Sequence, residues 1–148
     1  AVVAQVLSHV RESKSVAAGH SAGIILDREV DVSRGDWLLA KGAYSPSNQV
    51  TATVAWLDDE ALVPGRTYWA LHGNRWVKAK VQRIIDQLDI QTLQPLEASS
   101  LPANAIGDIE IRFLDALPVL PFAQARQLGA MILVDTASNK TSGAILVK

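Results

Sequence analysis

Cysteine is absent from this chain of 148 residues, which excludes disulfides and thiolate metal sites and is compatible with a reducing compartment. Long apolar runs are also missing: 49% of the residues are hydrophobic, yet no window approaches the roughly 18 uninterrupted apolar residues of a membrane span. No charged segment precedes the strand-like start Ala1-Val-Val-Ala, so a signal peptide is not indicated. The sequence predicts a soluble, cytoplasmic protein with no membrane partner, and its start resembles a cut through a longer chain.

An excess of positive charge is lacking as well, because the net charge is −1. The most basic stretch is the strand that carries Arg75, Trp76, Lys78, Lys80 and Arg83. An aromatic side chain among cations is typical of single-strand nucleic-acid platforms. One such strand in a net-acidic chain nevertheless favours a solvated strand face, so a nucleic-acid partner is not expected.

Motifs for nucleotide chemistry are missing too. The chain contains neither the G-x-x-x-x-G-K-[ST] phosphate cradle nor G-x-G-x-x-G, and nothing like G-x-S-x-G supports a serine nucleophile. The pair Asn139-Lys140 is similar to part of a guanine-specificity loop, but Ser142 stands where that loop has Asp. A hairpin turn is therefore the favoured interpretation.

Candidate metal ligands are few and poorly spaced. His9, His20 and His72 show no i,i+4 or H-x-H spacing, which favours histidines that are solvated or bonded to backbone. The trio Asp58-Asp59-Glu60 precedes Pro64-Gly65 and indicates a solvated loop rather than a cation site. The sequence thus predicts no catalytic, cofactor-binding or metal-binding residue, and no enzymatic activity for this chain by itself.

What is present is a regular β pattern from Thr51 onward. Apolar residues alternate with polar ones in several segments, and Gly73-Asn74 marks a tight hairpin turn before a strand that begins at Arg75. We expect that strand to continue through Asp86 to Thr92 as one long, bent strand. The predicted inward-facing residues are Val50, Ala52, Val54, Trp56, Val77, Ala79, Val81, Ile109, Ile111 and Phe113.

The end of the chain predicts a closing hairpin. Strands Gly129–Asp135 and Ala144–Val147 flank eight residues of turn chemistry and are too apolar for an exposed sheet. Only one short helix, within Ala123–Leu128, is plausible. About six strands follow Thr51, so the fold class is all-β, with a six-stranded closed Greek-key barrel.

The N-terminal part predicts three further strands, Val3–His9, Ser21–Leu26 and Asp36–Ala40. The Gly- and Pro-containing linker Lys41–Asn48 separates them from the barrel. We therefore divide the chain into a partial β-barrel, residues 1–42, and a complete barrel, residues 43–148. Trp37, Trp56 and Trp69 are assigned to the core or to packing between the barrels.

Several motifs resemble a known family. The run G-A-M-I-L-V-D-T-A-S-N-K-T-S-G-A is similar to the closing hairpin of the third domain of translation-factor-type GTPases, although Ile145 stands where the family usually has Gly. The segment Glu29–Asp36, which ends in Ser33-Arg-Gly-Asp36, resembles the end of the second barrel in sulfate adenylyltransferase large subunits. Leu62-x-Pro-Gly-Arg-x-Tyr68 and the residues Asn104, Ile106 and Gly107 follow in family order.

The resemblance implies an elongation factor Tu-like third barrel preceded by the last strands of a second barrel. In that family a GTPase domain couples GTP hydrolysis to the formation of adenosine 5′-phosphosulfate from ATP and sulfate by a separate small subunit. GTP, ATP and Mg²⁺ would belong to that parent and no cofactor to this chain. The implied roles are coupling and docking, and the implied partners are the small subunit and the GTPase domain.

Two further expectations remain open. The exposed partial barrel predicts fold-back on the complete barrel or a homodimer, of which the homodimer is favoured. An alternative to the sulfate adenylyltransferase assignment is an independent β-barrel binding module, such as an RNA-binding barrel of a translation GTPase.

Overall fold

The computed structural model describes residues 1–8, 15–42 and 44–148. Their regular elements are β1 (Val3–Leu7), β2 (Gly23–Leu26), β3 (Ser47–Trp56), β4 (Thr67–His72), β5 (Arg75–Leu88), β6 (Pro95–Leu96), β7 (Ile106–Leu117), α1 (Arg126–Gly129), β8 (Ala130–Asp135) and β9 (Thr141–Val147). The chain divides into two compact units, 1–33 and 34–148. Within the described ranges, no helix has the length and apolar character needed to cross a membrane.

Six strands of the second unit close into an antiparallel barrel. Their order is β4-β8-β9-β3-β7-β5, and β5 pairs back to β4. The short strand β6 adds to the end of β5, where Leu96 pairs with Gln87. Closure gives every barrel strand two partners and removes the open edges that an all-β sheet would otherwise expose. The all-β class and the closed six-stranded barrel are thereby confirmed.

The barrel interior is filled by the inward residues of the alternating strands. The predicted inward faces of β5 and β7 are confirmed, and Val50 alone of the predicted set is half-buried. The largest fully buried apolar side chains are Trp56, Tyr68, Leu62, Leu101, Ile109, Ile111, Leu117, Leu133 and Ile145, with Phe113 almost as deep. A small barrel packed in this way leaves binding to its outer surface.

Two glycines occupy positions where the backbone conformation or the packing disfavours a side chain. Gly73 adopts φ 59° in the two-residue turn that pairs His72 with Arg75, which confirms the predicted hairpin. Gly107 pairs with Gln87 of β5, and a Cβ there would come 2.9 Å from Leu101 Cδ2 and overlap the Asp86 carbonyl oxygen. The family-like residue Gly107 therefore allows the close backbone approach of β7 to β5, whereas Asn104 adopts φ 63° just before β7.

The third N-terminal strand was predicted wrongly. Residues 36–40 form no strand and instead lie beside the β4–β5 turn. The Trp37 ring packs against His72 with ring centroids 5.2 Å apart. Asp36 Oδ1 lies 3.5 Å from Arg75 Nη1. Side-chain packing has replaced the ladder pairing that the apolar pattern suggested.

Other element limits also differ from prediction. The closing turn is shorter than eight residues because β9 begins at Thr141, and β5 ends at Leu88, before a turn that includes Asp89. The strand β6 was not predicted, since Pro95 lies within a segment whose sequence predicts a loop. The helix α1 spans only Arg126–Gly129.

In the described residues of the first unit, β1 and β2 form one antiparallel pair. Val6 pairs with Ile24, and the Asp27 amide donates to the Val2 carbonyl at 2.9 Å. Residue 9, the end of the first predicted strand, lies outside the described residues. The division between the domains after residue 42 stays a prediction.

Candidate functional site

The closing turn between β8 and β9 is organised by a buried carboxylate. Asp135 Oδ1 accepts hydrogen bonds from the Ser138 amide at 2.7 Å, the Ser138 hydroxyl at 2.9 Å and the Ala137 amide at 3.0 Å. Its Oδ2 accepts from Arg66 at 2.8 Å. These donors, the Ser138 amide foremost, hold the pKa of Asp135 well below its usual range. The turn that contains Asn139-Lys140 is thus a hairpin turn, as predicted.

The acidic trio has a structural role rather than a purely solvated one. Asp58 Oδ2 accepts from the Ser142 hydroxyl at 2.7 Å, and this hydrogen bond lowers the pKa of Asp58. Glu60 forms an ion pair with Arg66, whereas Asp59 stays exposed. The loop is solvated at Asp59 and Glu60, as expected, but Asp58 also attaches it to the closing hairpin through Ser142. In the described part of the chain, no group of three or more His and acidic residues could hold a metal ion.

His72 and His20 both bond to backbone, as the sequence suggested. His72 is fully buried, and its Nε2 lies 3.2 Å from the Leu128 carbonyl oxygen. Burial lowers the pKa of His72. His20 is exposed, with Nδ1 3.4 Å from the Ala18 carbonyl oxygen, and His9 lies outside the described residues. These positions fit structural histidines.

A basic cleft of about 550 Å³ lies on the outer face of β4, β5 and β7. Lys78, Lys80 and Arg112 line it and are all exposed, because outward positions of β5 and β7 alternate with the buried ones. Lys80 and Arg112 are directly opposite each other in the β5–β7 register. Among the residues that the structure describes, none forms an ion pair with these three cations, and no carboxylate lines the cleft.

An apolar groove of about 560 Å³ adjoins this cleft on β4, β5 and β8. Trp69, Leu71 and Trp76 line it together with Ile132 and Val134. Trp76 is 51% exposed although it is among the largest apolar side chains of the protein. The groove meets the basic cleft where Lys78 Nζ lies 5.4 Å from the Trp69 ring centroid. Large exposed apolar patches with a polar rim are typical of interaction sites.

Sequence analysis predicted only part of the surface that the basic cleft and the apolar groove form. Arg75 and Arg83, assigned to the same solvated face, are engaged elsewhere: Arg75 with Asp36 and Asp115, and Arg83 with Glu110 at 2.6 Å. Arg112 was missed, because its place beside Lys80 depends on the register between strands that are far apart in the sequence. Trp69, assigned to core or inter-barrel packing, lies half-buried on the outer face, whereas Trp56 is a core residue as predicted.

Comparison with known proteins identifies a family for the barrel and relatives for nearly the whole chain. A family model described as GTP-eEF1A C-terminal domain-like matches residues 49–148. The chain is 37% identical over 143 residues to "Bifunctional enzyme CysN/CysC" of Xylella fastidiosa, covering 96% of this chain and 23% of that protein. It is 31% identical over 147 residues to "Sulfate adenylyltransferase subunit 1" of Salmonella typhi, covering 99% of this chain and 31% of that protein.

Solved structures agree on the fold. Sup35 complexed with GDP matches with a TM-score of 0.78 at 14% sequence identity, covering 98% of this chain and 36% of that one. Sup35 complexed with GMPPNP matches with a TM-score of 0.69 at 15% identity. The chain therefore spans roughly a quarter to a third of the length of the proteins that it matches.

Proposed function

The chain belongs to the GTP-eEF1A C-terminal domain-like family, and from this premise we propose that it is the non-catalytic β-barrel region of a GTP-binding sulfate adenylyltransferase large subunit. It is homologous to sulfate adenylyltransferase subunit 1 over 99% of its length. In this function the parent complex forms adenosine 5′-phosphosulfate from ATP and sulfate during sulfate assimilation. The barrel contributes docking surface for the small subunit and couples it to the GTPase domain.

The observation that carries this proposal is the extent of the similarity. It includes residues before the barrel as well as the barrel itself, whereas the family model begins at residue 49. The geometry supports a docking role, because side chains fill the interior and the two clefts lie on the outer face. Such a surface suits a partner protein better than a reaction centre.

Binding to the small subunit tests the proposal. We expect isothermal titration calorimetry of this chain with a purified sulfate adenylyltransferase small subunit to give weak, saturable binding, since the GTPase domain would supply the rest of the interface. The matched control is the corresponding barrel of Sup35, which shares the fold at 14% identity and is expected not to bind. No binding of this chain at high micromolar concentration would overturn the docking role.

A second candidate is an independent module that binds single-stranded RNA. Three cations that form no ion pair among the described residues lie beside Trp69 and Trp76 and favour it, since such proteins combine basic grooves with stacking aromatics. A fluorescence titration with a short oligouridine distinguishes the two candidates. Oligouridine binding without small-subunit binding would favour the independent module.

A further inference from the structure

The basic cleft and the apolar groove form one continuous surface on the barrel. Val134, Trp69 and Lys78 are in cross-strand register on β8, β4 and β5. The next outward row on one side joins Ile132, Leu71 and Trp76, and on the other side Thr67, Lys80 and Arg112. We call this surface the β4–β5 face. Its composition changes from aliphatic and aromatic to cationic across three neighbouring rows.

We propose that the β4–β5 face binds an acidic polypeptide segment that carries an aliphatic or aromatic anchor residue. The anchor enters the groove between Trp69 and Trp76, and the adjoining carboxylates contact Lys78, Lys80 and Arg112. This inference adds a binding surface to the proposed function. It rests on the proposed function only for the identity of the partner, which is the small subunit.

Charge complementarity identifies the acidic part of the ligand. Lys78, Lys80 and Arg112 have no carboxylate partner in the described part of the chain, although the whole chain carries a net charge of −1. Four of the six other cations in residues 44–148 contact acids, namely Arg66, Arg75, Arg83 and Lys148. Carboxylates on a partner would supply the missing negative charge, and such contacts weaken as salt rises.

The groove identifies the anchor. Trp76 is 51% exposed, and Ile132 and Leu71 beside it are half-buried. Tryptophan and arginine are the residues most often found at the energetic centres of protein interfaces. An apolar side chain seated here would cover the apolar surface that Trp76, Leu71 and Ile132 leave accessible.

A protein segment fits this face better than a nucleic acid does. The groove residues on β8 and β4 are aliphatic or aromatic and include no cation, so a phosphate backbone could follow only the cleft side. Three cations would neutralise few phosphates, and the net negative charge of the chain opposes an extended polyanion.

Indole resonances of ¹⁵N-labelled chain provide the test, with two probes. One is the purified small subunit, and the other is a synthetic peptide, acetyl-Asp-Glu-Leu-Phe-Glu-Asp-amide, compared with its Asn/Gln analogue. We expect the Trp69 and Trp76 signals to shift with the small subunit and with the acidic peptide, and the buried Trp56 signal to stay unchanged. The analogue should bind at least about tenfold more weakly because it lacks the carboxylates.

Substitutions locate the contact. Lys80→Glu and Arg112→Glu should each weaken binding of both probes about tenfold, and Trp76→Ala should do the same. The matched control Arg126→Glu makes the same charge change at an exposed residue outside both clefts and should leave affinity within about twofold. Lys80→Gln, which only removes the charge, provides a milder variant, and far-UV circular dichroism checks each fold.

Each outcome decides between the two proposals. Small-subunit binding that is unaffected by Lys80→Glu, Arg112→Glu and Trp76→Ala would overturn the inference and leave the proposed function intact. No small-subunit binding, with peptide-induced shifts of Trp69 and Trp76, would overturn the proposed function and keep the inference. An absence of shifts with both probes would overturn the inference. Oligouridine that binds at the same indoles more tightly than the acidic peptide would also overturn it.

Discussion

At the scale of single residues, His72 is a buried titratable group whose charge the fold does not accommodate. Its ring is fully buried against Trp37, and its Nε2 bonds to the Leu128 carbonyl oxygen. Because burial disfavours the imidazolium, the pKa of His72 in the folded chain lies below its ordinary value. The unfolded chain therefore binds the proton first as pH falls.

This predicts a stability that decreases with acid. The free energy of unfolding should be full above about pH 6.5, the unfolded pKa of histidine, and decrease below it by up to about 1.4 kcal/mol per pH unit. The decrease should end near the lower, folded pKa. Urea unfolding of the wild type and His72→Gln from about pH 8 to about pH 5 measures this. An identical pH slope in both proteins would contradict the prediction, and exposed His20→Gln is the control.

Gly107 lies where the packing leaves no room for a side chain. A Cβ there would overlap the Asp86 carbonyl oxygen and lie 2.9 Å from Leu101 Cδ2. We expect Gly107→Ala to destabilise the barrel by about 1–3 kcal/mol, because overpacking displaces backbone as well as side chains. Chemical denaturation gives the loss. The Leu101→Val background should not restore stability, since the carbonyl clash remains; full rescue there would show that the backbone contact is harmless.

At the scale of elements, the closing hairpin depends on Asp135. This carboxylate binds the Ser138 and Ala137 amides on one oxygen and Arg66 on the other. An asparagine could keep the amide contacts through its one oxygen but would present an NH₂ group to Arg66. We therefore expect Asp135→Asn to loosen the turn and release the 58–66 loop, which Arg66 joins to it.

Hydrogen exchange measures this loosening. Amides of Ala137, Ser138 and Glu60 should exchange faster in Asp135→Asn, while amides in β7 should keep their protection. The exposed Asp59→Asn is the matched control and should leave the exchange pattern unchanged. Equal protection of the turn in Asp135→Asn and the wild type would show that Asp135 is dispensable.

The strands of the barrel could be predicted because their alternation is local. The inward set of β7, Ile109, Ile111 and Phe113, follows from a period of two, and burial of each is confirmed. Residues 36–40 could not be assigned in this way, because Trp37 packs on His72 from a distant strand. The same limit applies to the candidate site: Lys78 and Lys80 could be placed on an outer face, but Arg112 joins them only through the β5–β7 register.

At the scale of the whole molecule, the two described units differ in how they bury apolar residues. The barrel closes on itself and buries its inward side chains. The β1–β2 pair has two strands and leaves Val3, Ile24 and Ile25 exposed, and a two-stranded sheet alone is at best marginally stable. The binding and assembly properties of the chain therefore depend on surfaces rather than on an internal cavity.

The chain by itself should not turn over nucleotides. Phosphoryl and adenylyl transfer require positioned anion donors and metal ligands, and the sequence carries no phosphate-cradle motif. We expect no phosphate release from GTP, and no adenosine 5′-phosphosulfate from ATP with sulfate, when homogeneous chain is assayed with Mg²⁺. Turnover that copurifies with the chain and is altered by a substitution within it would contradict this prediction.

The last prediction concerns self-association through the first unit. Val2, Val3, Ile24, Ile25, Val30 and Val32 are each 42–67% exposed. At roughly 25 cal/mol per Å² of apolar area, a few hundred Å² of such surface is worth several kcal/mol, comparable with the stability of a small domain. Among the described residues, no third strand pairs with the outer edges of β1 and β2. A symmetric dimer would cover these faces and edges together.

Sedimentation at micromolar concentration tests this association. We expect a dimer for the wild type and a monomer for Ile25→Lys, because a buried ammonium at the centre of a two-fold contact is unfavourable. Lys140→Ile, which changes an exposed residue of the closing turn, is the control against nonspecific effects of altered surface apolarity. A wild-type monomer would contradict the dimer, most directly if the amides of residues 23–26 were still protected from exchange. A dimer that persists in Ile25→Lys would instead place the contact on another surface.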